Sequence, residues 1–181
     1  ESIPGALTVR GRVTALDSAR ELLGAALMYL GLPANSLDPA HWQEAAALIR
    51  QAKPYWAAFN ASNYMQQLAA GHLWVVHGYS SDIFQAREDV RQAGRGFSIG
   101  FALPREGALV GMDHLVIHRN APRPDLAHQF IDFILEGRLS AQLTNLIGAG
   151  NPNLAAREHI RPDILALTAI FPDEQTLARL Q

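Results

Sequence analysis

The chain contains no cysteine, which excludes disulfides, thiolate metal sites and cysteine nucleophiles. Charge is sparse: 18% of residues are Asp, Glu, Lys or Arg, and the formal net charge is −2. A nucleic-acid partner normally selects a basic face, so none is expected. No apolar window approaches the length of a membrane span, and no basic-then-apolar leader opens the sequence. There is no Walker sequence and no serine in a nucleophile elbow. Gly94-Arg95-Gly96 is too short for a dinucleotide loop and precedes an apolar run where that fingerprint should follow one. Enzymatic readings therefore have little to stand on, and no cofactor or metal is expected.

What is present is a core. Of 181 residues, 49% are hydrophobic, enough for one large domain or two small ones. Apolar runs alternate with helical patterns, which predicts an α/β architecture. Residues 7–16 read as a strand with Gly11 as a possible bulge. Asp17 or Ser18 then caps a helix that ends at Gly31 and Pro33, and Asp38-Pro39 starts another through Ala52. Pro54 and the following aromatics predict an extended crossing. Ser62 is the expected cap of a short helix, 63–70. A strand at 73–77 leads to a helix capped by Ser80 or Ser81 and reaching Ala93. Further strands are expected at 97–103 and 113–118. An amphipathic helix then follows, with Leu126, Phe130, Phe133 and Ile134 as its core face, and a helix at 140–147 precedes short helices to the end.

The stretch from His72 to Asp113 carries the functional signal. Its first apolar run ends at Gly78 and opens into Tyr79-Ser80-Ser81-Asp82. In open α/β sheets ligands sit beyond the carboxyl ends of strands, where such residues would lie. Glu21 has a structural reading, because Ser18 three residues earlier makes a capping box. Its functional reading is a carboxylate facing the crevice. Asp82 shares that ambiguity, since the helix dipole favours an acid in a first turn. Asp113 can be a solvated strand end, and Tyr79 ordinary rim packing. Tyr79 can equally stack on an ammonium, a contact of about 0.5–2 kcal/mol. His114 and His118 resemble a metal pair, but four residues along a strand separate them by about 13 Å.

These residues sit in segments similar to one family. Residues 7–31, 55–86, 101–135, 151–157 and 171–176 resemble, in order, the periplasmic polyamine-binding proteins, the putrescine- and spermidine-binding components of ABC importers. PREGALVGMDHLVI (104–117) and NPNLAAR (151–157) are the most specific parts. The resemblance implies a class II periplasmic-binding-protein-like fold of two α/β lobes clamping a ligand. It covers the second lobe plus the returning part of lobe one, with the N-terminal lobe-one segment absent. On that basis residues 1–97 form the first part of lobe two. Residues 98–147 form a crossing strand and the returning lobe-one portion, and 148–181 the closing part of lobe two. The missing partner strands should leave apolar surface exposed, so truncation, a domain swap or self-association is expected. A periplasmic location is likewise implied by the resemblance.

Position by position, Glu21, Asp82 and Asp113 match carboxylates that hold amino groups in the putrescine-binding branch. Ser18 matches an acid of the spermidine branch, Tyr79 stands where both branches carry Trp, and Gly111 and Ala149 replace aromatic walls. The expected ligand-binding residues are therefore Glu21, Tyr79, Asp82, Asp113 and Ser18. The implied partners are a small cationic solute and ABC permease subunits, to which a closed form would be presented.

The chemistry agrees with that assignment. A polyamine is a flexible apolar rod with fixed positive charges, so separated carboxylates and aromatic faces suit it. Charge-assisted hydrogen bonds contribute about 1.5–3 kcal/mol each, and micromolar affinity needs about 8 kcal/mol. Three acids fall short once the rod's ordering cost is met, so walls and closure must supply the rest. Alternatives are a bulkier cationic or amino-sugar-like solute, a ligand-sensing module, and, least supported, an enzyme using Glu21 and Asp82 as an acid/base pair.

Overall fold

The computed structural model describes residues 9–181, so the expected strand at 7–16 lies partly outside the described residues. Of its described residues, 9–16, only β1, Val13–Ala15, is strand, and 10–12 form a turn instead. Gly11 is not a bulge. It adopts φ +74° in a turn closed by the Arg12 amide donating to the Val9 carbonyl at 2.9 Å, a conformation that suits glycine.

β1 is the central strand of a three-stranded parallel sheet, ordered β2-β1-β3. β2 is Ala58–Phe59 and β3 is Val75–Val76. Thr14 pairs with Ala58 on one side, and Val13 with Val75 on the other. The ladder runs past the formal strand ends: Asn60 N–H donates to the Ala15 carbonyl at 2.9 Å, and His77 N–H to the Thr14 carbonyl at 3.0 Å. The expected crossing after Pro54 is in part a 3₁₀ turn, Lys53–Tyr55, before the chain extends into β2. Proline fits the start of such a turn, where its missing N–H is not needed.

The chain passes from β1 to β2 and then back across β1 to β3. With right-handed crossovers, these two connections fall on opposite faces of the sheet. One connection is α1 (Ala19–Tyr29) and α2 (Pro39–Ala52), joined through Ala26, Leu27 and Ala45 with Leu23, Trp42 and Ile49 beside them. The other is α3 (Tyr64–Ala69), which packs with α4 (Ser80–Gln92). Their shared core contains Leu16, Tyr64, Leu68, Leu73, Ile83 and Val90.

Two of the expected helix caps form and two do not. Ser18 accepts from the Glu21 amide and Asp38 from the Ala40 amide, as expected. Ser62 does not cap α3; Asn63 occupies that position, and its Oδ1 is already taken by Asn60 and Gln67. Neither Ser80 nor Ser81 caps α4. Both lie inside the helix, and Tyr79 holds the cap position without a side-chain bond.

Residues 97–103 and 113–118 are not strands. A strand exists only where an adjacent edge takes up its amides and carbonyls. Near them, the described residues supply only an isolated parallel bridge, Ala108 to Leu180. Ile99 is nonetheless buried, whereas Val116 is 86% exposed.

α5 (Pro124–Leu135) forms as its pattern requires, but its apolar stripe is not a core face. Leu126, Phe130 and Phe133 are exposed, Phe133 at 60%, and no residue of α5 is fully buried. Periodicity fixed the helix and its stripe; it could not supply a surface to cover the stripe. α6 (Gly137–Ile147) begins three residues earlier than expected, because the Glu136 carboxylate accepts from the Arg138 and Leu139 amides. It packs against a 3₁₀ segment, Leu154–His159, and α4, sharing a core with Phe84, Ala156, Ile160, Ile164 and Ile170. Gly148 ends α6 at φ +68° directly over the Phe84 ring, where a Cβ has no room. Two short helices, α7 (Pro162–Leu165) and α8 (Glu174–Leu177), complete the chain. No helix among the described residues is long and apolar enough to cross a membrane.

Candidate functional site

The order β2-β1-β3 makes the β1/β3 boundary a topological switch point, the place where doubly wound sheets hold ligands. Two helices start there. α1 follows β1 with Ser18 at its cap and Glu21 in its first turn. α4 follows β3 with Tyr79 at its cap and Asp82 in its first turn. Both carboxylates thus come from adjacent strands through equivalent turns. Asp113 arrives separately, on the exposed extended segment after Gly111.

Tyr79 lies within electrostatic reach of all three acids. Its half-exposed phenol is pushed above its usual range, first by burial and then by the negative charges of Glu21, Asp82 and Asp113. The charges of these three side chains, distant in sequence, thus all bear on the one phenol. Ser18 stands at the edge of this mouth, its hydroxyl oxygen accepting the Glu21 amide at 3.5 Å. The reciprocal half of the capping box, from the Glu21 carboxylate to the Ser18 amide, is not among the hydrogen bonds of the described residues.

Two residues of this mouth escaped the sequence reading. Tyr64, at the start of α3, is buried at 2% exposure. Its hydroxyl donates to Asp82 Oδ2 and accepts the Tyr79 amide at 3.2 Å. Burial, then the bond to the Asp82 carboxylate, holds the Tyr64 phenol well above its usual range. His77, half-buried at the end of β3, accepts the Leu16 amide through Nδ1 at 3.5 Å. Burial pulls its imidazole down, and the Glu21 charge partly opposes this. One signal was available for Tyr64: Gly78 sits where the Tyr64 ring needs space, and a strand-end glycine marks a close approach.

A small cavity of about 40 Å³ lies elsewhere, between α4 and residues 167–170. Ile83, Phe84, Ile99 and Ile170 give it an apolar lining, with Arg87 at its rim. None of the three acids lines it, so it is distinct from the charged mouth. No group of three or more His, Asp or Glu among the described residues could hold a metal ion. His118 Nδ1 instead accepts the Asn120 amide at 3.1 Å.

Comparison with known proteins identifies the class. Residues 5–170 match the family of bacterial extracellular solute-binding proteins, and the chain belongs to that family. A putrescine/cadaverine-binding protein of Pseudomonas aeruginosa is 57% identical over 173 residues, which are 96% of this chain and 49% of that protein. A spermidine/putrescine-binding periplasmic protein of Escherichia coli is 30% identical over 168 residues, 93% of this chain and 47% of that one. Among solved structures, a spermidine/putrescine ABC transporter substrate-binding protein from Streptococcus pneumoniae superposes with a TM-score of 0.81. It is 25% identical and covers 97% of this chain and 53% of its own. The fold is thus periplasmic-binding-protein-like, and the chain spans about half the length of the relatives it matches.

Proposed function

We propose that this chain forms one side of a cleft that binds a short linear polyamine, such as putrescine or spermidine, for delivery to an ABC importer outside the cytoplasm. The observation that supports this reading is that Glu21 and Asp82 stand in the first turns of the two helices that start at the β1/β3 switch point, with the Asp113 charge bearing on the same Tyr79 phenol. Carboxylates anchor the ammonium groups, and the phenol face packs on the methylenes between them. The names of the relatives support the same ligand class. The Tyr64 hydroxyl donates to Asp82, so that carboxylate is engaged as an acceptor, an arrangement suited to holding a cation. Binding without chemistry is therefore the role we assign.

Calorimetry on the full chain with putrescine, cadaverine, spermidine and the neutral 1,4-butanediol tests this reading. The amines should bind exothermically and raise the melting temperature, while the diol does neither. Equal responses to amine and diol, or to none, would refute it. A second reading, a bulkier cation, is favoured by Gly111, around whose added Cβ nothing lies within 4 Å. An amino-sugar that binds more tightly than the linear amines would select that reading.

A further inference from the structure

We propose that Tyr64 is the positioning residue of this site, its hydroxyl fixing the Asp82 carboxylate and the Tyr79 backbone to each other before any ligand arrives. The inference rests on the cation-binding reading and names what holds that site in shape. Asp82 and Tyr79 are the two mouth residues of α4, a helix that starts without a side-chain cap. The Tyr64 hydroxyl meets both: it donates to Asp82 Oδ2 and accepts from Tyr79 N–H. A hydroxyl can do this because it is a donor and an acceptor at once. Tyr64 is itself held from three directions. Its ring lies in the core of Leu68, Leu73 and Ile83. Its helix start is set by Asn60, whose Oδ1 accepts the Ser62 and Asn63 amides and whose Nδ2 donates to Asn63 Oδ1. Asn60 is in turn fixed to β1 by its backbone N–H, which donates a hydrogen bond to the Ala15 carbonyl. On the strand side, Gly78 leaves the space: a Cβ there would lie 3.0 Å from the hydroxyl oxygen and nearer still to the ring.

This chain of contacts runs from the centre of the sheet to the ligand carboxylate. A carboxylate held in place loses less side-chain freedom on binding, which favours affinity without a new ligand contact. Tyr64 is 2% exposed, so the hydroxyl acts through Asp82 and Tyr79.

The test is a double-mutant cycle on the full chain, with putrescine as the probe in calorimetry. Tyr64→Phe should weaken binding about five- to tenfold, and Asp82→Ala should weaken it more. Adding Tyr64→Phe to Asp82→Ala should cause no more than a twofold further loss, because the partner it positions is gone. A purely structural tyrosine would cost the same factor in both backgrounds, and that result overturns the proposal. Gly78→Ala displaces the phenol while keeping its hydroxyl, and should reproduce the loss if Tyr64→Phe folds poorly. Ligand-free hydrogen exchange gives an independent reading: the Tyr79 amide should exchange at least tenfold faster in Tyr64→Phe, and unchanged exchange refutes the assignment. If the wild-type chain ignores putrescine, the diamine reading fails, while Tyr79 exchange still decides whether Tyr64 holds the mouth.

Discussion

Glu21→Gln separates a ligand carboxylate from a helix-capping one. The variant keeps the size of the side chain and removes its charge in the first turn of α1. The structural cost is the lost interaction with the helix dipole, about 0.3–1 kcal/mol at an exposed site. For a chain of this size that lowers the melting temperature by no more than about 4 °C. The cap itself survives, because the Ser18 hydroxyl accepts the Glu21 backbone amide and not its side chain. The ligand cost is larger. Replacing a charge-assisted hydrogen bond by a neutral one removes about 1–1.5 kcal/mol, and the lost attraction to the ammonium adds to it. Putrescine affinity should therefore fall at least tenfold, measured by calorimetry at low ionic strength, where screening is weakest. A ligand-free measurement accompanies it. The Glu21 charge helps hold the Tyr79 phenol above its usual range, so Tyr79 should titrate at lower pH in the variant, followed by NMR of ¹³C-labelled tyrosine. An unmoved Tyr79 titration, or a melting drop well beyond 4 °C with affinity intact, would show that Glu21 is only a capping residue.

Asp113→Asn should likewise weaken putrescine at least tenfold with little change in the unliganded melting temperature, since Asp113 lies on an exposed segment; a folding defect with normal affinity would count against it. His77 predicts a pH dependence of stability. Its folded value is pulled below the usual 6.5 by burial, so its contribution is complete above about pH 6.5 and is lost as pH falls below it. Thermal melts between pH 7.5 and 5 should show a shallower acid slope in His77→Gln, and an identical slope would refute this. Leu27→Ala removes a fully buried side chain and should cost about 2–5 kcal/mol. Phe130→Ala, on the exposed stripe of α5, should cost far less in denaturant unfolding, and parity between the two would mean that stripe is covered.

What could be read from the sequence was local. The caps Ser18 and Asp38, the stops at Gly31 and Gly94, and the strand-to-helix mouths holding Glu21 and Asp82 all depend on residues within one turn. Residues 97–103 and 113–118 have the composition of strands, yet pairing is decided by an edge elsewhere, and composition carries no information about that edge. The α5 stripe failed as a core assignment for the same reason. Tyr64 was missed because its partner Asp82 is eighteen residues away, and the one local sign of the contact, Gly78 at the strand end, does not say which ring it makes room for. His77 read as the end of a strand, and only the fold brings it within reach of the Glu21 charge.

β1 is only three residues long, yet it carries both parallel pairings. Its partners come from some forty-five and sixty residues further on, so no short piece of the nascent chain contains a finished edge. Folding to this mouth must close long loops before any pairing rewards it, and such topologies form slowly. An amine that fits the mouth can engage only chains in which that closure is complete, and would draw the population toward them as its concentration rises. Ligand present during refolding should then increase the yield of native protein, most of all for variants weakened far from the mouth.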